Sequence, residues 1–242
     1  MKKTVAFLFA GLLAGVTFAG KDNVVITFST PGPDTYADKS VVADGECYAL
    51  VWTKADSEFE GFNADGTAKG DSKVALIAPI AEGGKCPPVQ FQIDEDYAKA
   101  NYPGGTWGVY LLDTRKFAAD ANGVILKDAD GKKILESVGG KAVSGFGKVA
   151  DADSFAAASA SGAANIKAAV KAGAVKITDI KFVGDNVRLT VEGAVEDFAL
   201  GLKNADTPTA VEGATPTEQY AVPQDGKMYL FAPKAEKGFF SL

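Results

Sequence analysis

Short apolar runs separated by turn residues fill the first half of the chain. Residues 89–93 alternate apolar side chains with glutamine, which is the pattern of a half-buried β-strand. The other runs are rich in β-branched and aromatic residues and are bounded by glycine or proline, so they also predict strands. The predicted strands of this half cover residues 23–28, 47–53, 74–80, 89–93 and 106–112.

Two compact turn signals follow, at residues 120–123 and 128–131. The second separates two short apolar runs and predicts a β-hairpin, because Asp130-Gly131 supplies the positive φ that a tight turn requires. Short strands with turns at intervals of about 8–12 residues are typical of a sandwich or a barrel.

Alternation of apolar and polar residues returns near the carboxyl end. Residues 175–182 and 187–191 alternate on either side of the turn Gly184-Asp185-Asn186, and further short runs cover 198–202 and 228–231. Residues 174–242 therefore predict a small immunoglobulin-like or fibronectin-like β-sandwich.

An alanine-rich segment at residues 153–173 lies between the two strand-rich regions. It has an acidic residue at its start, lysines near its end and Gly173 as a C-cap, which favours a helix, although Ser161 and Gly162 weaken it. The alternative is a linker. The predicted fold class is thus mainly β, with two β-sandwich-like units joined by an alanine-rich segment that is predicted to be helical. The predicted domains are a signal peptide (1–19), an amino-terminal β domain (20–149), the helix or linker (150–173) and the carboxy-terminal sandwich (174–242).

The amino terminus has the pattern of a secretory signal. Lys2 and Lys3 precede an apolar stretch at residues 5–18, and small residues at Thr17 and Ala19 predict cleavage after Ala19. The alternative, a retained membrane anchor, is disfavoured because the stretch is short. We expect a secreted protein (extracellular, cell surface or periplasm), with no membrane insertion after signal removal.

Charge and composition exclude several classes of function. Removal of Lys2 and Lys3 lowers the basic count from 25 to 23 against 31 acidic residues, a net charge of −8, which argues against nucleic-acid binding. The chain contains 0 histidines, so histidine-based triads, zinc ligands and acid–base catalysis are excluded.

The two cysteines, Cys47 and Cys86, predict one disulfide, because an even count in an exported chain favours pairing. Such a bond would stabilise the fold by roughly 3–4 kcal/mol. Two free buried thiols and a metal pair are the alternatives, and two sulfurs without a histidine make a poor zinc site.

No catalytic residue, metal or cofactor is predicted. The cluster Asp94-Glu95-Asp96 is interpreted as a solvated acidic turn, and a carboxylate-based glycoside hydrolase is the least favoured alternative. The turns at residues 63–66 and 128–131 do not place ligands at the positions of a calcium loop.

Aromatic residues suggest one candidate binding site. Trp107 and Tyr102 lie beside the turn Pro103-Gly104-Gly105 and could stack on a sugar ring, whereas Trp52 lies in an apolar run and is expected in the core. Ordinary core packing is the alternative for Trp107 as well.

Two parts of the chain show a resemblance to known proteins. The carboxy-terminal pattern ITDIKFVGDNVRLTVEG…MYLFAPKAEKGFFSL is similar to small β-sandwich modules, of immunoglobulin or fibronectin type, at the ends of bacterial secreted and surface proteins. The segments GPDTYADKSVVADGECYALVW and GTWGVYLLDTR resemble uncharacterised exported bacterial proteins. The resemblance implies surface or extracellular placement and a β-sandwich fold, and it carries no functional residue.

These observations together predict a secreted or cell-surface protein without catalytic activity. It would act by structural assembly or adhesion, with other surface proteins or further copies of itself as partners. The alternative is a secreted carbohydrate-binding module that holds a polysaccharide through Trp107 and Tyr102.

Overall fold

The structure of the protein is a computed structural model, and the mainly β class predicted from the sequence is confirmed. The described residues are mainly β, with several separate sheets and two short helices. The predicted signal peptide lies outside them. The described residues are 23–30, 33–79, 83–152, 157–159, 167–168, 175–234 and 238–242.

The first unit is built around a five-stranded antiparallel sheet with the strand order β10-β8-β5-β2-β3. Strand β2 is buried on both faces, which explains its unbroken apolar sequence. Because side chains alternate along a strand, Tyr48 and Leu50 face one core and Ala49 and Val51 face another. The elements of this unit are β1 (Asn23–Ser29), β2 (Cys47–Thr53), β3 (Lys73–Pro79), β4 (Val89–Asp94), α1 (Glu95–Asn101), β5 (Thr106–Asp113), β6 (Lys116–Phe117), β7 (Leu135–Ser137), β8 (Gly145–Ala152), β9 (Ala157–Ser159) and β10 (Lys167–Ala168).

Each face of the five-stranded sheet is covered by a different part of the chain. On one face, the three-stranded sheet β4-β1-β9 contributes Ile26 and Phe28 of β1 to the core that contains Leu50. On the other face, Phe62 is fully buried in an aromatic cluster. Its ring centroid lies 5.0 Å from Phe59, 5.2 Å from Phe146 and 5.9 Å from Tyr110.

The predicted disulfide between Cys47 and Cys86 is wrong. Both residues are buried free thiols, and they belong to the cores on opposite faces of the five-stranded sheet. A disulfide requires Cβ atoms about 3.5–4.5 Å apart with side chains directed at each other, and the intervening sheet prevents this. Burial raises the pKa of both thiols to about 12, so they stay protonated at neutral pH.

The alanine-rich segment contributes strands to the first unit. Of residues 153–173, the structure describes only Ala157–Ser159 and Lys167–Ala168, which are strands β9 and β10 and not helix. Strand β9 pairs in parallel with β1, and β10 pairs with β8. The rest of this segment, including the predicted C-cap Gly173, lies outside the described residues.

The second unit is a small sandwich of a four-stranded sheet, β11-β12-β16-β15, and a three-stranded sheet, β14-β13-β17. The alternation predicted for β12 is confirmed, since Val187, Leu189 and Val191 are buried in the core between the sheets and their neighbours are not. The elements are β11 (Lys176–Val183), β12 (Asn186–Glu192), β13 (Ala199–Ala205), α2 (Pro208–Gly213), β14 (Thr217–Tyr220), β15 (Val222–Gln224), β16 (Lys227–Pro233) and β17 (Phe239–Ser241).

A hairpin segment, residues 116–137, joins the two units. Its first turn packs against β14, where the N–H of Tyr220 donates to the carbonyl of Gly123 at 2.8 Å and Val124 forms a β-bridge with Gln219. A side chain at Gly123 would meet the Tyr220 carbonyl at 2.3 Å, so this close approach requires glycine. The hairpin segment therefore extends the sheet β14-β13-β17 of the second unit.

Candidate functional site

Strand β11 lies at one edge of the four-stranded sheet, and its apolar side chains are exposed. Ile180 and Phe182 lie opposite Leu189 and Val187 of β12, so they share the core-facing side of the sheet. Their partners are almost fully buried, yet Ile180 is 50% and Phe182 67% exposed. The three-stranded sheet therefore covers β12 and Ile177 of β11. It does not cover the part of β11 that follows the bulge between Ile177 and Asp179.

The side chain of Asp179 contacts both a backbone group and a charged side chain of β11 at this edge. The N–H of Ile180 donates to Oδ1 of Asp179 at 3.0 Å. The other oxygen of Asp179 lies 3.2 Å from Nζ of Lys181, and the hydrogen bond from Lys181 lowers the pKa of Asp179. We refer to residues 179–182 as the β11 edge. Among the residues that the structure describes, no strand pairs with the outer side of β11.

Sequence reasoning did not identify the β11 edge. The alternation of residues 175–182 predicts a half-buried strand, and Phe182 is an apolar position in that pattern. Whether a facing sheet reaches far enough to cover such a position depends on the packing of strands distant in sequence. The short alternation Asp179-Ile180-Lys181 was the available signal, because edge strands commonly carry charges that flank apolar residues.

The structure brings Trp107 and Tyr102 together, as the sequence analysis expected. Their ring centroids are 5.1 Å apart with an interplanar angle of 51°. Trp52 is only 3% exposed, which confirms that it lies in the core, and its ring packs 6.0 Å from Tyr102. Tyr97, which is 54% exposed, extends this aromatic cluster at 6.4 Å from Tyr102.

Lys73 places a positive charge beside the aromatic cluster. Its Nζ lies 5.6 Å from the ring centroid of Trp52 and 5.8 Å from that of Tyr102, and it donates to the carbonyl of Asn101 at 2.7 Å. The rings of Tyr102 and Trp107 are half-buried and tilted against each other rather than coplanar. The arrangement offers ring faces and an ammonium group to a polar ligand such as a sugar.

A small cleft also opens beside Trp107. Its volume is about 210 Å³, which is below the range of roughly 300–1,000 Å³ for small-molecule sites. The ring of Tyr110 packs directly on the backbone of Gly108, where a side chain would meet that ring at 2.8 Å. The residues that line the cleft are Thr53, Ser57, Glu58, Phe59, Thr106, Trp107, Gly108, Tyr110 and Lys148.

Glu46 is a fully buried carboxylate that the sequence analysis missed. Its Oε1 accepts hydrogen bonds from the N–H of Cys47 at 3.1 Å and from the hydroxyl of Thr114. Its Oε2 accepts from the hydroxyl of Tyr36 at 2.9 Å and from the N–H of Thr114 at 3.1 Å. Burial raises the pKa of Glu46 above its ordinary value of 4.5, although these hydrogen bonds act to lower it.

Arg115 closes this buried network on its outer side. Its guanidinium carbon lies 3.6 Å from the ring centroid of Tyr36, Nη2 lies 2.8 Å from Asp113, and Nη1 lies 2.8 Å from Asp38. Partial burial acts to raise the pKa of Asp38, but hydrogen bonds from Ser40 and Arg115 lower it to about 2. Because protein donors already occupy both oxygens of Glu46, this carboxylate holds loops together rather than presenting an acceptor to a ligand.

The acidic sequence features have structural roles at the start of a helix and in turns. Asp94 is the N-cap of α1 and accepts from the N–H of Tyr97 at 3.1 Å, and Glu95 pairs with Lys99 along the same helix. In the turn at residues 128–131, Oδ1 of Asp128 accepts from two backbone N–H groups, both at 2.9 Å. Among the described residues, no group of three or more acidic or cysteine side chains could hold a metal ion.

Comparison of the chain with protein-family models, with curated proteins and with solved structures found no match. The two helices of the described residues are too short to cross a bilayer. The β11 edge and the aromatic cluster are the two exposed features of the described residues that could contact another molecule.

Proposed function

We propose that this protein is a secreted or cell-surface protein that acts without catalysis, by structural assembly or adhesion, and that the β11 edge is its contact surface. The observation that carries the proposal is the exposure of Ile180 and Phe182 on the core-facing side of a sheet. Apolar side chains at such positions are normally buried, and a contiguous exposed group of them marks an interaction surface.

The backbone of β11 supports the same proposal. An edge strand presents N–H and C=O groups that can pair with a strand of another molecule, which adds main-chain hydrogen bonds to the apolar contact. At Ile180 that N–H group is held by the neighbouring side chain of Asp179, which is exposed and can be displaced.

Replacing Ile180 with lysine is expected to abolish assembly or adhesion while the fold persists. The substitution puts a charge on the proposed contact surface at a position that is already half exposed, so its cost in stability is small. The mass of the protein by light scattering and its retention on bacterial cells are the two readouts.

Val41→Lys is the matched control, because Val41 is 55% exposed but lies in the first unit. The proposal requires the control to assemble or adhere like the unchanged protein. If Ile180→Lys leaves both mass and cell retention unchanged, the β11 edge is not the contact surface and the proposal is wrong.

A second candidate function is carbohydrate binding, which the 5.1 Å approach of Trp107 and Tyr102 supports. Stacking on a sugar would use the exposed faces of the aromatic cluster. A titration with soluble polysaccharides is expected to give a saturable change in tryptophan fluorescence, which Tyr97→Ala weakens and Trp107→Ala removes while the circular dichroism is retained.

Phe182→Ala is the control for this titration, since it removes an exposed ring of the second unit. Equal responses of the unchanged protein, Tyr97→Ala and Trp107→Ala would exclude the aromatic cluster as the sugar site. The same titration with Ile180→Lys separates sugar binding from the contact made by the β11 edge.

A further inference from the structure

We propose that the β11 edge pairs with the β11 edge of a second copy of this chain, antiparallel and centred on Ile180. This inference rests on the proposed function and names the partner of the same surface. A two-fold axis at Ile180 would join two four-stranded sheets into one continuous sheet, which is the isologous arrangement most common among dimers.

Charge complementarity selects the partner. In an antiparallel pair centred on Ile180, Asp179 of each copy lies opposite Lys181 of the other, and Ile180 lies opposite Ile180. Opposite charges in directly facing positions stabilise a pair of strands, and like charges destabilise it. The edge is therefore complementary to itself.

Every neighbouring register is disfavoured. A shift by two residues places Asp179 against Asp179 in one direction and Lys181 against Lys181 in the other. A shift by one residue places Ile180 opposite a charged side chain and turns the apolar positions to the wrong face of the sheet. The order Asp-Ile-Lys thus specifies a single antiparallel register.

The backbone is compatible with this register. Val183 and Asn186 flank the two-residue turn between β11 and β12, so they form a hydrogen-bonded pair of the ladder. Because hydrogen-bonded and non-hydrogen-bonded pairs alternate, the N–H of Ile180 points to the outer side of the strand, where Oδ1 of Asp179 accepts it. On pairing, Asp179 would release this N–H to the carbonyl of Ile180 in the second copy and turn to the facing Lys181. In the single chain, the contact of Asp179 with Ile180 and Lys181 occupies the groups that the dimer uses.

The exposed side chains gain cover in the same arrangement. Ile180 of the two copies would contact each other, and Phe182 would extend this apolar strip at both ends. A single strand of eight residues forms a small interface. The area that it buries is at or below roughly 1,200 Å², the lower limit for standard complexes. The dimer is therefore expected to be weak, and the fraction of chains that are dimeric is expected to rise with protein concentration.

A charge-exchange series tests the register. Asp179→Lys and Lys181→Asp each create like charges that enter the interface twice by symmetry, so each variant is expected to dimerise about tenfold or more weakly. The double variant Asp179→Lys/Lys181→Asp restores opposite charges in the same register and is expected to recover dimerisation. Sedimentation velocity of the purified chain over a range of concentrations measures this, with circular dichroism to confirm folding.

The outcomes separate this inference from the proposed function. Recovery in the double variant supports pairing centred on Ile180. A double variant that stays as weak as the single variants, or an unchanged protein that is monomeric at all concentrations, overturns self-pairing. In that case, loss of cell retention in Ile180→Lys would still support the β11 edge as a contact surface for a different partner.

Discussion

Replacing Phe62 with alanine is expected to lower the free energy of unfolding by about 3–5 kcal/mol, the usual cost of removing a buried phenylalanine. Phe62 is fully buried, and its ring lies within 6 Å of three other aromatic rings. The substitution would leave a cavity lined by rigid rings that cannot collapse into it, which places the expected cost at the upper end of this range.

Phe182→Ala is the matched control, since it removes the same side chain where it is 67% exposed. Its cost is expected to stay within about 0.5 kcal/mol. Equilibrium unfolding in urea measures both variants. Far-ultraviolet circular dichroism follows the strands of both units, and tryptophan fluorescence follows the first unit, because Trp52 and Trp107 both lie there. Equal losses in the two variants would contradict the assignment of Phe62 to the core.

The loss of stability caused by replacing Glu46 with glutamine is expected to become smaller as the pH rises. The folded protein raises the pKa of Glu46 above its ordinary value of 4.5, so the folded state binds this proton more tightly than the unfolded state. Its contribution to stability is complete below pH 4.5 and is lost as the pH rises through the raised pKa. Each tenfold difference in proton affinity corresponds to about 1.4 kcal/mol.

Glutamine removes this titration but keeps the shape of the side chain. The NH2 group of glutamine would face two of the four donors from which the oxygens of Glu46 accept hydrogen bonds. At acidic pH we therefore expect the variant to be less stable by about 1–3 kcal/mol. Toward neutral pH the difference in stability between the two proteins should shrink, because the unchanged protein loses the stabilisation that comes from the proton on Glu46. Urea unfolding at intervals from pH 4.5 to pH 8 measures the difference.

The titration of Asp38 lies below the pH range of this experiment and does not interfere with that of Glu46. The pKa of Asp38 is lowered from 3.8 to about 2, so its contribution is fully present above pH 3.8 and is lost only as the pH falls below that value. Glu60→Gln reports the effect of the same substitution at an exposed position. A difference between Glu46→Gln and the unchanged protein that stays constant across the window would contradict a raised pKa at Glu46.

The local elements were predictable because they depend on nearby residues. Alternation along β12 places Val187, Leu189 and Val191 on one face, and the structure buries all three. The repeated Asp-Ala-Asx-Gly turns form as expected, with Gly123 and Gly131 at positive φ. The two sheets of the second unit follow from short alternating strands, which have to bury one face each.

The pairing of the cysteines could not be predicted from their number. Cys47 and Cys86 lie on different faces of one sheet, and the face of Cys86 is set by the loop that leads into β4 and by its contacts with Thr30. Counting cysteines assumes that the chain can bring two sulfurs together. A strand buried on both faces separates them instead.

The candidate sites were predictable only in part. Tyr102 and Trp107 flank the same turn, and this short separation in sequence is enough to predict that they lie together. Glu46 and Thr114 are 68 residues apart, and their contact depends on the register between β2 and β5. The exposure of Phe182 depends on the width of a facing sheet, which no local pattern encodes.

The parallel pairing of β1 with β9 has a consequence for the order in which the chain folds. Thr27 pairs with Ala157, so one edge of the first strand stays open until most of the first unit has left the ribosome. Contacts between such distant residues slow folding, because a long loop must close before the contact forms. Until residues 157–159 are available, Thr27, Phe28 and Ser29 lack this neighbour, and the open edge of β1 leaves the incomplete chain exposed to aggregation.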